Sequence, residues 1–275
     1  MRKPTRRDGT SGDYVLSANM TPTVDETRVG NGMFRGRPTL FNALPVLFIS
    51  AVLLGPLSAS IAGPLNRNIG WPGKTLAGNQ CYGDGSGYGP FDYISERSKI
   101  IIVEKHHFTN DIEQLVAGRS GTQTGLESNL DYTLRAVPNH HRALWAMTRY
   151  YLKKLATQGS PLLEKRELTR IGEPPPECYF QRAKAFSPDD GMVSAIFGIY
   201  LHKRGRLDDA LAEYGQAESK IPNFPELIYN MGLLYLDMDD IVGAQEYAER
   251  AENLGYPLTG LQKRISRRQA EMHQQ

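Results

Sequence analysis

An all-α array of helical hairpins, an α-solenoid with an irregular N-terminal extension and a C-terminal capping helix, is the fold class that the amino-acid sequence predicts. Three observations carry the prediction. Between Gly191 and Pro257 the chain repeats at a spacing of 34 residues, so that Gly198 falls on Gly232, Ala210 on Ala244 and Ala217 on Ala251. The repeated positions are small, as two antiparallel helices require where they touch, and Tyr214, Ile228 and Tyr235 are placed to fill the space beside them. The first unit is also punctuated, with Gly205 at the turn between its helices and Pro222 at its end.

In these small residues, this turn and this closing proline the chain resembles the tetratricopeptide repeat (TPR) family. The resemblance implies a scaffold that binds other chains; it implies no particular reaction. Extended backwards, the register places the preceding unit-ending proline at Pro188, with Ala183 at the small position of a second helix. The first helix of that unit is expected at about His140 to Leu155, after Pro138. From Pro138 to Pro188 there are 188 − 138 = 50 residues instead of 34, so this unit carries an insertion of 16, assigned to 156–176 with a short helix at 162–170. Leu126 to Val137 is expected to be helical, and its phrase Ala136-Val-Pro-Asn139 is similar to the end of a TPR unit. A helix beginning at Thr109, with Ile112, Leu115 and Val116 on its apolar side and Gly118 as its stop, completes a degenerate first unit. Leu258 to Glu271, with Leu261 and Ile265 on one side and Arg264, Arg267 and Arg268 elsewhere, reads as the capping helix. The helical domain is therefore expected over 108–272.

The segment before it, 63–107, is rich in Gly, Asn, Pro and aromatics and shows no apolar period, so it is expected to be irregular. Ile100 to Val103 is a β-branched run that reads as an isolated strand or buried extended piece. Residues 1–62 divide into a polar stretch, with Met33 as the expected start of translation, and an apolar run of 15 residues from Ala43 to Leu57. Arg35 and Arg37 precede that run and Ser60-Ile-Ala62 follows it, the layout of a secretory signal peptide cleaved after Ala62. The alternative is an uncleaved single-span anchor, and only in that case is membrane association expected.

Composition narrows the partners. A formal net charge of +2 over 275 residues points to no nucleic acid. Cys81 and Cys178 are the two cysteines, too few for a paired-CxxC zinc site. In an oxidising compartment they are expected to form one disulfide, which would lay the Tyr82, Tyr88, Phe91 and Tyr93 aromatics across the helices, with occupation of the groove by this segment left open. Their alternative is a buried Cys178 and a free Cys81. Gly73-Lys-Thr75 lacks both the first glycine and the preceding strand of a phosphate-binding loop. Glu104, His106, His107, His140 and His141 lack the spacing of a metal site, and capping or surface roles are expected for them. No GxSxG occurs, and nothing activates Cys178. No catalytic residue, metal or cofactor is expected.

The phrases Tyr88-Gly-Pro-Phe-Asp-Tyr93, Asp131-Tyr-Thr-Leu-Arg135, Pro138-Asn-His-His141, Glu177-Cys-Tyr-Phe180 and Leu254-Gly-Tyr-Pro-Leu258 resemble a group of bacterial secreted TPR proteins to which no activity is assigned. TPR membership implies that the first helix of each unit lines a groove. Carried over, the groove residues are Arg142, Trp145, Arg149, Leu152 and Lys153; then Met192, Ala195, Ile199, His202 and Lys203; then Glu226, Tyr229, Leu233, Leu236 and Asp237. Such a face runs from basic and aromatic to apolar and acidic, suited to a peptide with an acidic end. The function expected is an exported scaffold or adaptor holding a protein or peptide partner in the bacterial envelope. The alternative is an envelope hydrolase with its site formed by 81–93 and the histidine pairs.

Overall fold

The computed structural model describes residues 67–116, 125–158, 174–257 and 259–274. The apolar run at 43–57, the expected helix stop at Gly118 and the expected short helix at 162–170 lie outside these residues. The described helices are α1 (Arg97–His107), α2 (Asn110–Glu113), α3 (Leu126–Ala136), α4 (His141–Gln158), α5 (Pro176–Phe186), α6 (Gly191–Lys203), α7 (Leu207–Lys220), α8 (Pro225–Asp237), α9 (Ile241–Asn253) and α10 (Gly260–Met272). Among the described residues the β-structure is a single isolated bridge, Lys74 to Gln80.

The 34-residue register is visible as packing. A Cβ added to Gly198 on α6 would lie 2.3 Å from Cδ1 of Tyr214 on α7, and one added to Gly232 on α8 would lie 2.4 Å from Cδ2 of Leu261 on α10. Ala210, Ala217, Ala244 and Ala251 are buried on the second helices of the two hairpins. The turns also correspond. Gly205 has φ +71°, and 34 residues later Asp239 takes the same left-handed conformation with φ +63°, one of the few residue types besides glycine that tolerates it. Asp240 then caps α9 by accepting from Gly243 N–H at 2.9 Å, as Asp190 caps α6 by accepting from Met192 N–H at 3.1 Å. The capping helix α10 buries Leu261 and Ile265 beside Ile228, Tyr229 and Leu233.

Two local expectations are corrected. Residues 100–103 are neither strand nor extended piece; they form the middle of α1, so the irregular segment ends at Glu96 instead of 107. Ile100 and Val103, three apart, are buried against Ala136 and Val137, and this tertiary contact outweighs the modest helix penalty of β-branched residues. The helix after Thr109 is a single turn. Thr109 stands at the N-cap with extended backbone but makes no side-chain cap bond. Leu115 swings to φ +57°, and Val116 N–H donates back to Asp111 C=O at 2.9 Å, a left-handed termination well before Gly118.

The irregular segment is strapped onto the second helices α3 and α5. Cys81 and Cys178 are disulfide-bonded with their Cα atoms 5.6 Å apart. Around the bond, Leu76 N–H donates to Glu177 Oε1 at 2.8 Å, Lys74 N–H to Gln181 Oε1 at 3.1 Å, and Gln181 Nε2 to Lys74 C=O at 2.8 Å. Glu177 and Gln181 are one turn apart on α5, so a single helix face holds the strap's backbone. Arg182 donates to Ser86 Oγ at 2.7 Å and Arg135 to Gly85 C=O at 2.7 Å. At Gly89 the strap runs so close to α3 that a Cβ would lie 2.4 Å from Ala136 O, and Phe91 N–H bonds that same carbonyl.

Candidate partner-binding face

The first helices α4, α6 and α8 carry the residues expected to line a groove, and the structure divides these residues in two. Ile199, Tyr229, Leu233 and His202 are buried, as are Ala195 and Leu236. They are core residues, and they meet no partner while the array is folded. Tyr229 and Leu233 belong to the cluster completed by α10, and Tyr229 lies 4.7 Å, centroid to centroid, from Tyr256. Arg142, Trp145, Arg149, Leu152, Met192, Lys203, Glu226 and Asp237 are half-buried and Lys153 is exposed, so five of the nine accessible positions lie on α4.

Charge on this face is also partly spent within the protein. Arg142 donates through Nε to Glu113 Oε1 at 2.8 Å and lies over the Phe108 ring, so the one-turn helix α2 covers the start of the face. Arg149 donates to the carbonyl oxygen of Glu113 and sits 5.9 Å from the Trp145 ring centroid. Burial holds its guanidinium below the usual arginine value, and its Nε is buried without a hydrogen-bond partner among the described residues. At the far end Asp237 accepts from His202 Nε2 at 3.0 Å and from Arg264 of α10 at 2.6 Å. The acidic end expected of the gradient is thus largely neutralised by the cap, while the basic end keeps an unmet donor.

On the second-helix side the strap leaves an open cleft of about 630 Å³, bordered by Gly73, Lys74 and Leu76 of the strap, Gln181 and Lys184 of α5, Phe197 and Leu201 of α6, and Glu213 of α7. Lys184 is engaged with Glu213 at 2.5 Å. The strap's disulfide and the hydrogen bonds around it go to the second helices α5 and α3. Of its aromatics, Tyr82 and Tyr88 are exposed and Tyr93 is buried. The ring that docks on α5 is Trp71, edge-on to Tyr179 at 5.2 Å and 5.2 Å from the Arg182 guanidinium. Glu177 and Gln181 flank Cys178 at helical spacing, the one sequence signal that this helix face receives an outside chain.

The histidines separate. His106 is exposed, and His107 stacks on Tyr132 at 3.9 Å. His140 and His141 are buried, so of the capping and surface roles expected neither takes the surface one, and His140 takes the capping one. His140 Nδ1 accepts from Ala143 N–H at 3.2 Å, which leaves the proton on Nε2, 3.1 Å from Glu104 Oε1. The ring is a neutral cap, and burial pushes its pKa down to about 4 against the opposing pull of Glu104. His141 Nε2 lies 2.7 Å from Asp190 Oδ2, whose carboxyl is held below its usual value by His141 and Asn139 in spite of burial. Asn139 bridges Asp92 and Asp190 at 2.8 and 2.9 Å, and its Oδ1 accepts from Tyr93 N–H. This polar knot joins the strap, α4 and α6. Among the described residues no group of three or more His, Cys, Asp or Glu is arranged to hold a metal ion.

No curated protein and no solved structure matches the chain. Residues 200–239, from the end of α6 through α7 and α8, match the family model described as a TPR repeat. TPR repeats mediate protein–protein interaction, and the family is typically non-catalytic. With the register of Gly198, Gly232, Gly205 and Asp239 in the helical hairpins, this match shows a tetratricopeptide repeat within the helical array.

Proposed function

We propose that the chain is an exported scaffold that holds an acidic segment of a protein partner on the α4 end of the first-helix face, without catalysis of its own. One observation supports this most directly: the half-buried Arg149, over the Trp145 ring, is followed one turn later on α4 by the exposed Lys153, which puts two cations on one side of the helix. A carboxylate supplied by a partner meets the exposed Lys153 beside that guanidinium, and a charge-assisted bond of this kind is stronger than a neutral one. Trp145 provides the rigid aromatic surface on which such contacts concentrate.

The test is affinity capture from the native envelope with the wild-type chain and with Arg149→Ala and Trp145→Ala. A partner retained by the wild type and lost by both variants is the expected result; equal recovery by all three removes the α4 face from the proposal. Export is tested separately by N-terminal sequencing of the native protein, expected to begin at Gly63. An intact N-terminus recovered with membranes establishes an anchor instead.

A further inference from the structure

The helix α1 turns apolar side chains outward. Ile101 and Ile102 are 61% and 54% exposed, and Ile94, in the turn entering the helix, is 46% exposed. Single exposed aliphatics are ordinary, but here three β-branched residues share a short element at the beginning of the array, where a solenoid needs a polar outer face. The opposite end meets that need: α10 buries Leu261 and Ile265 and carries Arg264, Arg267 and Arg268.

The charges around the isoleucines have one sign at the surface. Arg97, Lys99, Lys105 and His106 are exposed on α1. The carboxylates nearby are drawn inward: Glu104 faces His140 at 3.1 Å and Arg97 at 3.6 Å, and Glu96 holds Lys99 at 2.6 Å and Arg67 at 2.9 Å. Lys105 and His106 follow Ile101 and Ile102 by one turn and therefore share their side of the helix. Exposed aliphatics rimmed by cations are complementary to a surface with an apolar interior and anionic headgroups.

The path of the chain points the same way. Arg67 is fixed to Pro90 C=O at 2.8 Å and to Glu96, so the residues preceding it enter the fold beside the start of α1. Cleavage after Ala62 leaves a cationic amino terminus four residues before Arg67.

We propose that the outer face of α1 docks on an anionic lipid bilayer, with Ile94, Ile101 and Ile102 against the acyl boundary and Arg97, Lys99 and Lys105 at headgroup level. No helix among the described residues is long and apolar enough to cross a membrane, and α1 lies on the surface. The proposal rests on the export reading only for which bilayer is met, and it is independent of what the α4 face holds.

Hydrogen exchange of the full-length chain, read on peptides covering 97–107, tests it with vesicles of phosphatidylcholine alone and of phosphatidylcholine with phosphatidylglycerol. Local protection is expected with the anionic vesicles at low salt and is expected to vanish at high salt and on the neutral ones. In Ile101→Ser/Ile102→Ser the vesicle concentration needed should rise roughly tenfold. Lys99→Gln/Lys105→Gln should weaken the salt-dependent part while leaving the isoleucines in place. Because a retained apolar run is common to all these chains, it cannot mimic a change confined to α1. No protection by vesicles, protection unchanged in both variants, or protection that grows with protein concentration in the absence of lipid overturns the proposal, the last by assigning the face to a second copy. Loss of peptide capture at α4 leaves this result unaffected, so the two proposals fail separately.

Discussion

Replacing the two register glycines by alanine should have unequal costs, and the inequality follows from what each new methyl group meets. At Gly198 the Cβ would lie 2.3, 2.5 and 3.0 Å from Cδ1, Cε1 and Cγ of Tyr214, a fully buried ring on the partner helix. Ordinary carbon contacts lie near 3.5–4.0 Å, so α6 and α7 must separate by about 1 Å or more. Overpacking onto a buried ring costs up to about 3 kcal/mol, and the better helix propensity of alanine returns about 1 kcal/mol, so a net loss of up to about 2 kcal/mol is expected. At Gly232 the closest atom, 2.4 Å away, is the tip of Leu261, which can rotate, and the next is Tyr247 Cβ at 3.3 Å. There the two effects should nearly cancel. Gly215, on the exposed face of α7 with nothing within 4 Å, is the control, and Gly215→Ala should stabilise by about 0.5–1 kcal/mol. Urea unfolding followed by far-ultraviolet circular dichroism measures all three. A Gly198→Ala midpoint at or above wild type, or a larger loss at Gly232 than at Gly198, would refute the packing on which the register rests.

Three further predictions concern the strap and the polar knot. The denatured, unreduced chain should titrate no free thiol, and Cys81→Ser/Cys178→Ser should lower stability by roughly 3–5 kcal/mol, as chain entropy predicts for a bond joining residues 97 apart; two free thiols in the native protein refute the bond. Glu177→Gln removes the charge from the acceptor of Leu76 N–H and Tyr200 O–H, and should hasten limited proteolysis in the strap near Gly78 while the hairpins α6–α9 keep their helicity. His140 supplies a pH dependence: burial holds its pKa near 4 when folded, and unfolding returns it to about 6.5. Between these values the unfolded chain binds the extra proton, so stability is full above about pH 6.5 and falls as the pH drops, by about 2 kcal/mol at pH 5. Asp190 and Glu104, both held below their usual values, extend the loss to lower pH. Unfolding midpoints at pH 7.5 and 5 should therefore differ more for wild type than for His140→Gln, and equal differences count against a neutral buried ring.

What could be read from the sequence was local and periodic. Small residues at 34-residue spacing place helices from α6 to α9, and Pro138 and Pro188 bracket the interrupted unit, because close packing leaves its mark at the residues that touch. The α1 helix was hidden, since Ile100-Ile-Ile-Val103 has the composition of a strand and its helical state depends on Ala136 and Val137, which come from another part of the chain. The groove was only half legible for a related reason. A register says that Ile199, Tyr229 and Leu233 lie on first helices; whether they meet solvent depends on the neighbouring helices, and α10 covers two of them. At His140 and His141, a pair of exposed-looking imidazoles became interior through Glu104 and Asp190, 36 and 49 residues away.

A hairpin array can form as it is made, each pair of helices closing on residues that have just been synthesised. The strap follows a different timetable. Its partners are distant: Leu76 waits for Glu177, 101 residues later, and Lys74 for Gln181, 107 residues later. Until α5 exists, Trp71 and Cys81 have nothing to lie on, and the N-terminal piece trails as an open chain. The first residues of the strap to be made are thus placed after the later ones, which already meet α3, and along this stretch the order of docking runs against the order of synthesis.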